Sequence, residues 1–358
     1  MRTLMFVSTE TFTGKTGICL SVAQRLTSQG QSAGYMKPVG NLPTTVEGDL
    51  TDEDAVFAAA VLGQQRQLAD VSPLILTASL TDKLLLGERV DYRDSVLAAF
   101  RRLSQGRSVM ILEGTSHVND GKVFALSSPQ VAELLGAAVI LISKFANPYE
   151  IVDDILVARE RFGDRFAGVI FNWVRPQHLS VLESLILPFF GAEKINVLGA
   201  IPKDKTLLAV KVRELAELLR GEVLCAENHL DELVETFMVG AMGQEQALRF
   251  FARKANKAVL TGGDRADIQL AALETPTKCL ILTGNYYPSA SVLAVAEAKG
   301  VPMIKVDMDT LTAAQATESL VGRQRVHDTA RLAEVARLVD KHLDFALLSS
   351  ILETALTA

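Results

Sequence analysis

One nine-residue stretch near the start of the chain constrains its fold more than any other. Ser8–Thr16 reads Ser-Thr-Glu-Thr-Phe-Thr-Gly-Lys-Thr and follows the apolar run Leu4–Val7, which is typical of a buried parallel strand. A helical pattern extends from Lys15 to about Gln29. A turn between a strand and a helix can surround a phosphate with backbone N–H groups, and the helix N-terminus adds favourable partial charge. The stretch therefore predicts a phosphate-binding loop, or P-loop, at the edge of a parallel sheet.

The residue types in this loop indicate its ligand. Lys15 can reach the outer phosphates of a nucleotide, and Thr16 can hold magnesium through its hydroxyl. Thr9 stands where the usual pattern has its first glycine, so the alternative is an ordinary strand-to-helix turn with an incidental Gly-Lys-Thr. The order of the elements favours the phosphate site, because the motif requires it. We expect ATP and Mg2+ as cofactors, with nucleotide contacts from Glu10, Thr11, Phe12, Thr13, Gly14, Lys15, Thr16 and Gly17.

Short apolar runs recur along the first 200 residues and alternate with helical patterns. Buried strands are predicted at Leu4–Val7, Val109–Leu112, Ala138–Ile142, Gly168–Phe171 and Val197–Ile201, with Tyr35–Val39 beginning as a sixth. Helical stretches at Pro129–Leu135 and Tyr149–Arg161 separate several of them. This alternation predicts an α/β fold in which helices cover both faces of a parallel sheet.

The chain is long enough for two domains, since 358 residues exceed what one hydrophobic core usually serves. The composition changes at Leu219–His229, which we interpret as a linker between domains at 1–222 and 223–358. A smaller α/β unit follows, in which the predicted elements are helices at Gln244–Lys254, Ala266–Leu273, Pro288–Lys299, Leu311–Leu320 and Thr329–Leu347, and strands at Ala258–Leu260, Cys279–Leu282 and Met303–Val306.

Charge and cysteine content exclude several function classes. The net charge of −6 argues against a broad basic surface for nucleic acid. The three cysteines are scattered without disulfide or zinc spacing, so we expect them to be buried in a reducing compartment. No apolar run reaches the length of a signal peptide or a membrane span. We therefore predict a cytoplasmic protein that binds neither nucleic acid nor membranes.

The P-loop resembles that of dethiobiotin synthetase and its relatives, which have a threonine at the place of Thr11 and usually a glycine where this chain has Ser8. Further matches follow in chain order within the segments Lys37-Pro38-Val39, Asp52-Glu53-Asp54, Glu113-Gly114, Asn172 and Gly199-Ala200-Ile201-Pro202. Each alone has an ordinary explanation as a strand end, helix cap or turn residue. Together they fall at strand ends, where ligands bind in such sheets.

The resemblance implies a role for each matched residue. Lys37 would face the phosphates and substrate, and Lys37 and Thr11 are the catalytic candidates. Asp54 and Glu113 would be carboxylates near the magnesium ion held by Thr16. Asn172 would read the nucleobase, and Pro202 lies in the segment that would close over it.

The resemblance fails where the synthetases bind their substrate. They carry small, glycine-rich residues after Glu113-Gly114, but this chain has Thr115-Ser116-His117. The related diamide synthases need a glutaminase domain with a nucleophilic cysteine, and the surroundings of Cys225 and Cys279 do not suit one. The sequence therefore argues against both of these named reactions.

A second glycine-rich turn lies between the strand Ala258–Leu260 and the helix Ala266–Leu273. Its sequence resembles the signature of the DRTGG domain. Asp264 can cap the following helix, and Arg265 can pair with a carboxylate or an anion. The turn serves either a ligand or packing and dimerisation, and its candidate residues are Thr261, Gly262, Gly263, Asp264, Arg265 and Asp267.

The order of the two domains resembles the N-terminal region of the long bacterial phosphotransacetylases. In those enzymes the transferase site lies in a further C-terminal domain, so the resemblance implies a free-standing relative of the regulatory region, without transacetylase activity by itself. Three hypotheses remain open: a nucleotide-responsive regulatory or scaffold protein with a metabolic enzyme as partner, an ATP-dependent synthetase that phosphorylates a carboxylate or carbamate, and an interaction module with a vestigial nucleotide site.

The last amphipathic helix suggests self-association. Its apolar stripe consists of Leu332, Val335, Leu338, Val339, Leu343 and Leu347, and Phe345, Leu348, Ile351, Leu352 and Leu356 continue the apolar content. A stripe this wide must be buried. The alternative is burial against its own domain. We expect a homo-oligomer, with a dimer as the simplest assembly.

Overall fold

The structure is a computed structural model that describes residues 1–88, 90–204, 207, 209–321 and 328–354. It divides into two compact units. The first contains the described residues of 1–203 together with 328–354, and the second contains those of 204–321.

A six-stranded parallel sheet forms the centre of the first unit. Its strand order is β10-β9-β8-β1-β7-β2, and the pairs β3–β6 and β4–β5 form separate two-stranded sheets. The strands are β1 (Arg2–Val7), β2 (Ala33–Met36), β3 (Val39–Gly40), β4 (Pro43–Val46), β5 (Asp49–Asp52), β6 (Leu74–Ile75), β7 (Val109–Glu113), β8 (Ala138–Lys144), β9 (Phe166–Val174) and β10 (Val197–Pro202).

The central strands are buried on both faces. All five residues of β7 are buried, and only the first residue of β1 is partly exposed. Parallel strands covered on both faces have no polar side, which explains why these sequences are continuous apolar runs. The predicted parallel α/β architecture is confirmed, and each predicted strand lies within or overlaps an observed one.

Helices surround this sheet. The first, α1, begins directly after Gly14, whose φ of 85° is in the left-handed region that favours glycine. The helices of this part of the chain are α1 (Lys15–Ser28), α2 (Glu53–Leu62), α3 (Leu68–Val71), α4 (Ala78–Leu85), α5 (Arg93–Leu103), α6 (Ser128–Leu134), α7 (Glu150–Phe162), α8 (Leu179–Val181) and α9 (Leu187–Ala192), with a π-helical segment at Leu182–Ile186.

The second unit contains a five-stranded sheet with the order β12-β17-β16-β15-β14 and a small antiparallel pair, β11–β13. Only β12 runs antiparallel to its neighbour. The elements are β11 (Val210–Lys211), α10 (Val212–Leu218), β12 (Glu222–Cys225), β13 (Leu233–Val234), β14 (Thr236–Val239), α11 (Gln244–Phe251), β15 (Lys257–Gly262), α12 (Ala266–Leu273), β16 (Thr277–Thr283), α13 (Ala290–Ala298), β17 (Met303–Lys305) and α14 (Thr310–Val321).

Alternate residues of β15 and β16 belong to two different hydrophobic clusters. Val259 and Leu280 pack in one cluster, and Leu260 and Ile281 pack in the other. This alternation follows from the period of two in a strand. The second sheet is therefore also covered on both faces.

The stretch expected to be a linker is structured. Within Leu219–His229, the segment Glu222–Cys225 forms the edge strand β12 and pairs with β17. Val223 and Cys225 lie opposite Ile304 and Met303 across this pairing. The charged and polar residues that suggested a linker instead flank a short strand whose centre is apolar.

The end of the chain differs most from expectation. The helices α15 (Thr329–His342) and α16 (Phe345–Thr354) belong to the first unit and not to a second domain of residues 223–358. They are also two helices, not one. Leu343 adopts an extended conformation and bridges to Gly199, and the Asp344 N–H donates to the carbonyl oxygen of Leu198 at 2.7 Å. Pairing with the edge strand β10 therefore breaks the helix.

The apolar stripe of the terminal helices is buried within the first unit. Its buried members are Leu332, Leu338, Val339, Leu343, Leu348, Ile351 and Leu352, whereas Leu356 lies outside the described residues. Helix α15 packs against α1, and α16 against β1. The stripe therefore does not require a second copy of the chain to cover it, and a homo-oligomer stays a prediction without this support.

Two expectations drawn from composition concern cysteines and membranes. Cys19, Cys225 and Cys279 are free and buried, as expected. In the described part of the chain, no helix combines the length and apolarity needed to span a bilayer.

Lys257, the first residue of β15, is buried without a carboxylate partner among the contacts found in the described residues. Its Nζ donates to the carbonyl oxygen of Pro276 at 3.0 Å. Burial disfavours the charged form and lowers the pKa of Lys257 from its ordinary value of 10.5 to about 8. Between these two pH values the unfolded chain holds a proton that the folded chain has released, so folding becomes more favourable as the pH rises.

We predict that Lys257→Met stabilises the second unit at pH 7, because it removes the buried charge while keeping the length of the side chain. The gain in unfolding free energy over wild type should shrink as the pH rises from 8 towards 10. Urea unfolding followed by circular dichroism measures this gain at pH 7 and at pH 9.5. A difference between the two proteins that does not change with pH would contradict this prediction.

Candidate functional site

The expected site residues converge at the carboxyl edge of the first sheet. Strand β1 lies between β7 and β8, and Phe6 of β1 is paired in register with Glu113 at the end of β7. The loop Ser8–Thr16 leaves β1 beside Glu113 and enters α1. Because all strands of this sheet are parallel, the residues that follow β2 and β9 reach the same edge.

Backbone conformation shapes the loop. Phe12 and Gly14 both have positive φ values, of 54° and 85°. A left-handed conformation is unusual for a bulky residue such as Phe12, and residues of this kind cluster at ligand sites. The hydroxyl of Thr13, between them, is buried and has no hydrogen-bond partner among the described residues. The loop therefore holds a buried polar group that a ligand can satisfy.

Lys15 is buried and is held by the first residue of the loop. Its Nζ donates to Ser8 Oγ at 2.6 Å, and Ser8 Oγ in turn donates to the Glu10 carbonyl oxygen at 2.7 Å. Burial lowers the pKa of Lys15 below its ordinary value, and repulsion from Lys37 adds to this, while Glu113 opposes it. Ser8, which replaces the glycine of the related loops, thus supplies a neutral partner for the P-loop lysine.

Glu113 connects the loop to β2. Its Oε1 accepts a 2.8 Å hydrogen bond from the Thr16 hydroxyl, and its Oε2 accepts a 2.7 Å hydrogen bond from the Tyr35 hydroxyl. The carboxyl group is almost completely buried. Burial, followed by repulsion from Asp54, raises the pKa of Glu113 to about 7 despite attraction from Lys37 and Lys15.

Lys37 lies between two carboxylates. Its Nζ is 2.8 Å from Asp52 Oδ1 and 2.6 Å from Asp54 Oδ2, and all three side chains are buried. Burial alone would lower the pKa of Lys37, but Asp54 and Asp52 outweigh it and hold that pKa above its ordinary value. The structure shows buried ion pairs for Lys37, and its expected contact with phosphates and substrate stays a prediction.

Asp52 organises the segment before α2. It caps this helix by accepting from the backbone N–H groups of Asp54 and Ala55, and its second oxygen accepts from those of Asn41 and Leu42. The expected capping role therefore belongs to Asp52. Asp54, the expected carboxylate near the metal, reaches the site through its ion pair with Lys37.

Asn172 holds the P-loop from the end of β9. Its Nδ2 donates to the Thr13 carbonyl oxygen at 2.7 Å, and its Oδ1 accepts from the backbone N–H of Trp173 at 2.9 Å. A Cβ added at Gly14 would lie 2.7 Å from this Nδ2, so the contact also requires the glycine. The amide that was expected to read a nucleobase is thus engaged at both ends.

The remaining expected residues are arranged around this centre. Thr11 is partly buried, and Gly17 is buried on α1, where its carbonyl oxygen accepts from Ser21 Oγ. Glu10 is half-exposed, with Oε2 3.6 Å from Lys144 Nζ. Pro202 is the last residue of β10. The structure therefore brings the whole expected set to one edge, though it does not test which of these residues contact a ligand.

The turn after β7 is attached to the P-loop. His117 Nδ1 lies 2.8 Å from the Thr9 carbonyl oxygen, and Ser8 Oγ is 3.2 Å from the Ser116 carbonyl oxygen. The Ser116 hydroxyl accepts from Asn41 Nδ2 at 2.7 Å. The residues Ser116 and His117 are therefore attached both to the P-loop and to the segment after β3.

The residues present fit a nucleotide with magnesium. A buried lysine, an orphaned threonine hydroxyl and a helix N-terminus suit phosphate oxygens. Thr16 and Glu113 offer the hard oxygen ligands that magnesium prefers, and such ions are commonly bound through one or two carboxylates together with substrate phosphates.

The turn of the second unit is held together by its own side chains. Gln269, which is buried on α12, donates from Nε2 to the carbonyl oxygens of Gly262 and Gly263 at 2.9 and 3.0 Å. Thr261 is buried and donates to the Gly240 carbonyl oxygen. A Cβ on Gly263 would lie 2.1 Å from the Tyr286 carbonyl oxygen, so only glycine fits there.

Arg265 in this turn pairs with a carboxylate, which is one of the two kinds of partner expected for it. Its partner is Asp267, with Nη2 and Oδ2 3.0 Å apart, and it also donates to the Met242 carbonyl oxygen. Asp264 does not cap α12: the helix begins after Arg265, no side chain caps it, and Asp264 is exposed. These contacts account for the turn by packing, and a ligand there stays a prediction.

Sequence reasoning missed several residues of the first site. Ser8, Tyr35 and Lys144 were not expected to contact its charged groups. A tyrosine in an otherwise apolar buried strand needs a partner for its hydroxyl, and this signal could have identified Tyr35. Ser8 and Lys144 gave no comparable signal, because the contact of Ser8 with Lys15 depends on how the loop folds and Lys144 contacts Glu10, which is distant in sequence.

The fold and site define the first unit as a P-loop α/β domain. Residues 2–211 match the family described as "AAA domain" (AAA_26), and residues 214–320 match the "DRTGG domain". The first match spans 210 of the 358 residues, so the chain belongs to this AAA domain family. The second match confirms the predicted DRTGG resemblance.

The chain is similar to phosphate acetyltransferases along almost its whole length. It is 23% identical over 392 residues to the "Phosphate acetyltransferase" of Acinetobacter baylyi, covering 99% of this chain and 53% of the relative. The corresponding figures for the Synechocystis sp. enzyme are 22% over 367 residues, 98% and 52%. The chain thus spans about half the length of these relatives.

A solved structure also overlaps part of the chain. It is described as the CBS and DRTGG domains of the regulatory region of Clostridium perfringens pyrophosphatase, complexed with the activator diadenosine tetraphosphate. The identity is 18%, the TM-score is 0.30, and the match covers 40% of this chain and 70% of the other. This overlap is too small to assign a ligand to the present protein.

We predict that Lys37→Met destabilises the first unit by about 3–5 kcal/mol, because it leaves two buried carboxylates without their cation. Urea unfolding followed by tryptophan fluorescence measures this unit, since Trp173 is the only tryptophan and lies within it. Lys83→Met, at an exposed position of α4, is the matched control. A loss below about 1 kcal/mol, the scale of surface pairs, would contradict the assigned role of Lys37.

Proposed function

We propose that this protein binds ATP with magnesium at the Ser8–Thr16 loop and acts as a cytoplasmic nucleotide-responsive regulatory or scaffold protein. The observation that carries the proposal is the buried arrangement of Lys15, Thr16 and Glu113 around a loop with an unsatisfied hydroxyl. In this proposal Lys15 Nζ leaves Ser8 Oγ and binds the outer phosphates of the nucleotide. Thr16 and Glu113 hold magnesium, which would neutralise phosphate charge when bound.

Electrostatics support the need for a divalent cation. The buried cluster holds two lysines, Lys15 and Lys37, and three acidic side chains, those of Asp52, Asp54 and Glu113. Phosphates brought to this cluster add negative charge next to carboxylates in a region of low dielectric, where repulsion is strong. Magnesium bound together with the nucleotide offsets that charge, so we expect ATP to bind weakly without it.

The contacts that the turn after β7 makes with the P-loop favour a regulatory role over a synthetase activity. A synthetase needs space for a second substrate beside the transferred phosphoryl group. Here Ser116 and His117 contact Asn41 and the loop residues Ser8 and Thr9 at that place. Lys37, which would face the substrate, is fully paired with two carboxylates. The similarity to about half of the phosphate acetyltransferase chain, together with the DRTGG match, supports a role beside a metabolic enzyme.

The test is calorimetric titration of ATP and magnesium into the wild-type chain and into Lys15→Ala. A charge-assisted phosphate contact is worth about 1.5–3 kcal/mol, so the variant should bind roughly tenfold to hundredfold more weakly. Lys83→Ala, which removes an exposed lysine of α4, should bind like wild type. The proposal fails if Lys15→Ala keeps wild-type affinity or if wild type binds no nucleotide.

A further inference from the structure

The Asn172 amide, which the resemblance assigns to the base, has two partners within the protein. The Asn172 side chain is 7% exposed, and its amide already bonds to the Thr13 carbonyl oxygen and to the Trp173 N–H. Turning this amide towards a base would release the P-loop from β9 and leave the Thr13 carbonyl oxygen without this partner. Holding the loop therefore competes with binding a base for the same Asn172 amide group.

Trp173 follows Asn172 and is held in an uncommon conformation. Its φ is 61°, in the left-handed region, which is rare for a residue with a bulky side chain and persists only where the surroundings impose it. The hydrogen bond from its N–H to Asn172 Oδ1 is one such constraint. Trp173 is only partly buried, so part of its surface is accessible at the carboxyl edge of the sheet.

Two lysines lie near this indole, and one of them, Lys144, also contacts the P-loop. Lys144 Nζ lies 4.9 Å from the ring centroid and 3.6 Å from Glu10 Oε2 of the loop. Lys203 Nζ lies 5.8 Å from the same centroid. An aromatic ring near the phosphate loop, with two lysines beside it, matches the needs of a nucleotide, whose base stacks on aromatic rings and whose phosphates attract lysines.

We propose that Trp173 stacks on the base of the nucleotide held by the Ser8–Thr16 loop, and that it determines the preference of the site for purine nucleotides over inorganic polyphosphates. This inference rests on the proposed function. Stacking tolerates different bases but scales with the area of the ring, which favours purines. A cation–π contact at a partly exposed ring is weak, so a base can displace a lysine from the indole at small cost.

The chain provides its own probe, because Trp173 is the only tryptophan among 358 residues. Its intrinsic fluorescence should change saturably when ATP and magnesium are titrated into the full chain. Inorganic tripolyphosphate with magnesium should bind, as calorimetry would show, and leave the fluorescence almost unchanged because it has no base. An equal change with both ligands would overturn the proposal.

Two substitutions of Trp173 distinguish a loss of stacking from a loss of folding. Trp173→Ala should weaken ATP binding about tenfold to hundredfold, the range found for loss of one stacked base, and should leave tripolyphosphate affinity unchanged. Trp173→Phe keeps an aromatic face and should retain most of the ATP affinity, even if Trp173→Ala does not fold. Wild-type ATP affinity in Trp173→Ala, or equal losses in a folded Phe and Ala pair, would overturn the proposal.

The two proposals fail in different ways. If neither ATP nor tripolyphosphate binds wild type, the P-loop assignment fails and the stacking role fails with it. If both bind, Lys15→Ala weakens both and Trp173→Ala changes neither, then only the role of Trp173 is rejected.

Discussion

The rest of the site depends on the two hydrogen bonds that the buried carboxyl group of Glu113 accepts. Glu113 ends β7, the neighbour of β1, and hydrogen bonds join it to α1 through Thr16 and to β2 through Tyr35. Three separate segments of the chain are thereby fixed at one edge of the sheet. A buried carboxyl group is costly unless its oxygens are satisfied, and here two hydroxyls satisfy them. The same burial raises its pKa to about 7, so a cation that replaces the Thr16 contact would favour the ionised form.

The ion pairs of Lys37 form a second layer behind this carboxyl group. Asp52 fixes the segment before α2 by capping the helix and accepting four backbone N–H groups, and Lys37 ties it to β2. Removing Lys37 would leave two buried carboxylates without their cation, which is strongly destabilising. The group also acts on Glu113 electrostatically, because Asp54 repels and Lys37 attracts its ionised form.

Much of the fold could be predicted because its signals are local. The runs Leu4–Val7 and Val109–Leu112 became parallel strands, and Gly14 and Lys15 marked the beginning of α1. The end of the chain could not be assigned, because an amphipathic pattern shows that a helix must be buried without showing where. Its break at Leu343 depends on Leu198 and Gly199, which are more than 140 residues away in sequence.

The candidate site likewise has some features that follow from the sequence and others that do not. Which residues reach the carboxyl edge follows from strand order along the sequence, and the structure gathers the expected set there. Their partners do not follow from it. Asn172 with Thr13 and Tyr35 with Glu113 are long-range contacts, and the contact of Lys15 with Ser8 depends on how the loop folds. Asn172 holds the loop and Lys37 forms ion pairs with Asp52 and Asp54, while the ligand roles that the resemblance assigned to both stay predictions.

The central claim is that the Ser8–Thr16 loop binds a nucleotide, and hydrogen exchange of the full chain tests it most directly. With saturating ATP and magnesium, we expect slower exchange of the amides of Thr9–Thr16 and of Asn172 and Trp173, because bound phosphates engage the loop N–H groups. The same ligand concentration should give little protection in Lys15→Ala. Unchanged exchange of the loop in wild type, or protection confined to Thr261–Asp267 of the second unit, would contradict the account.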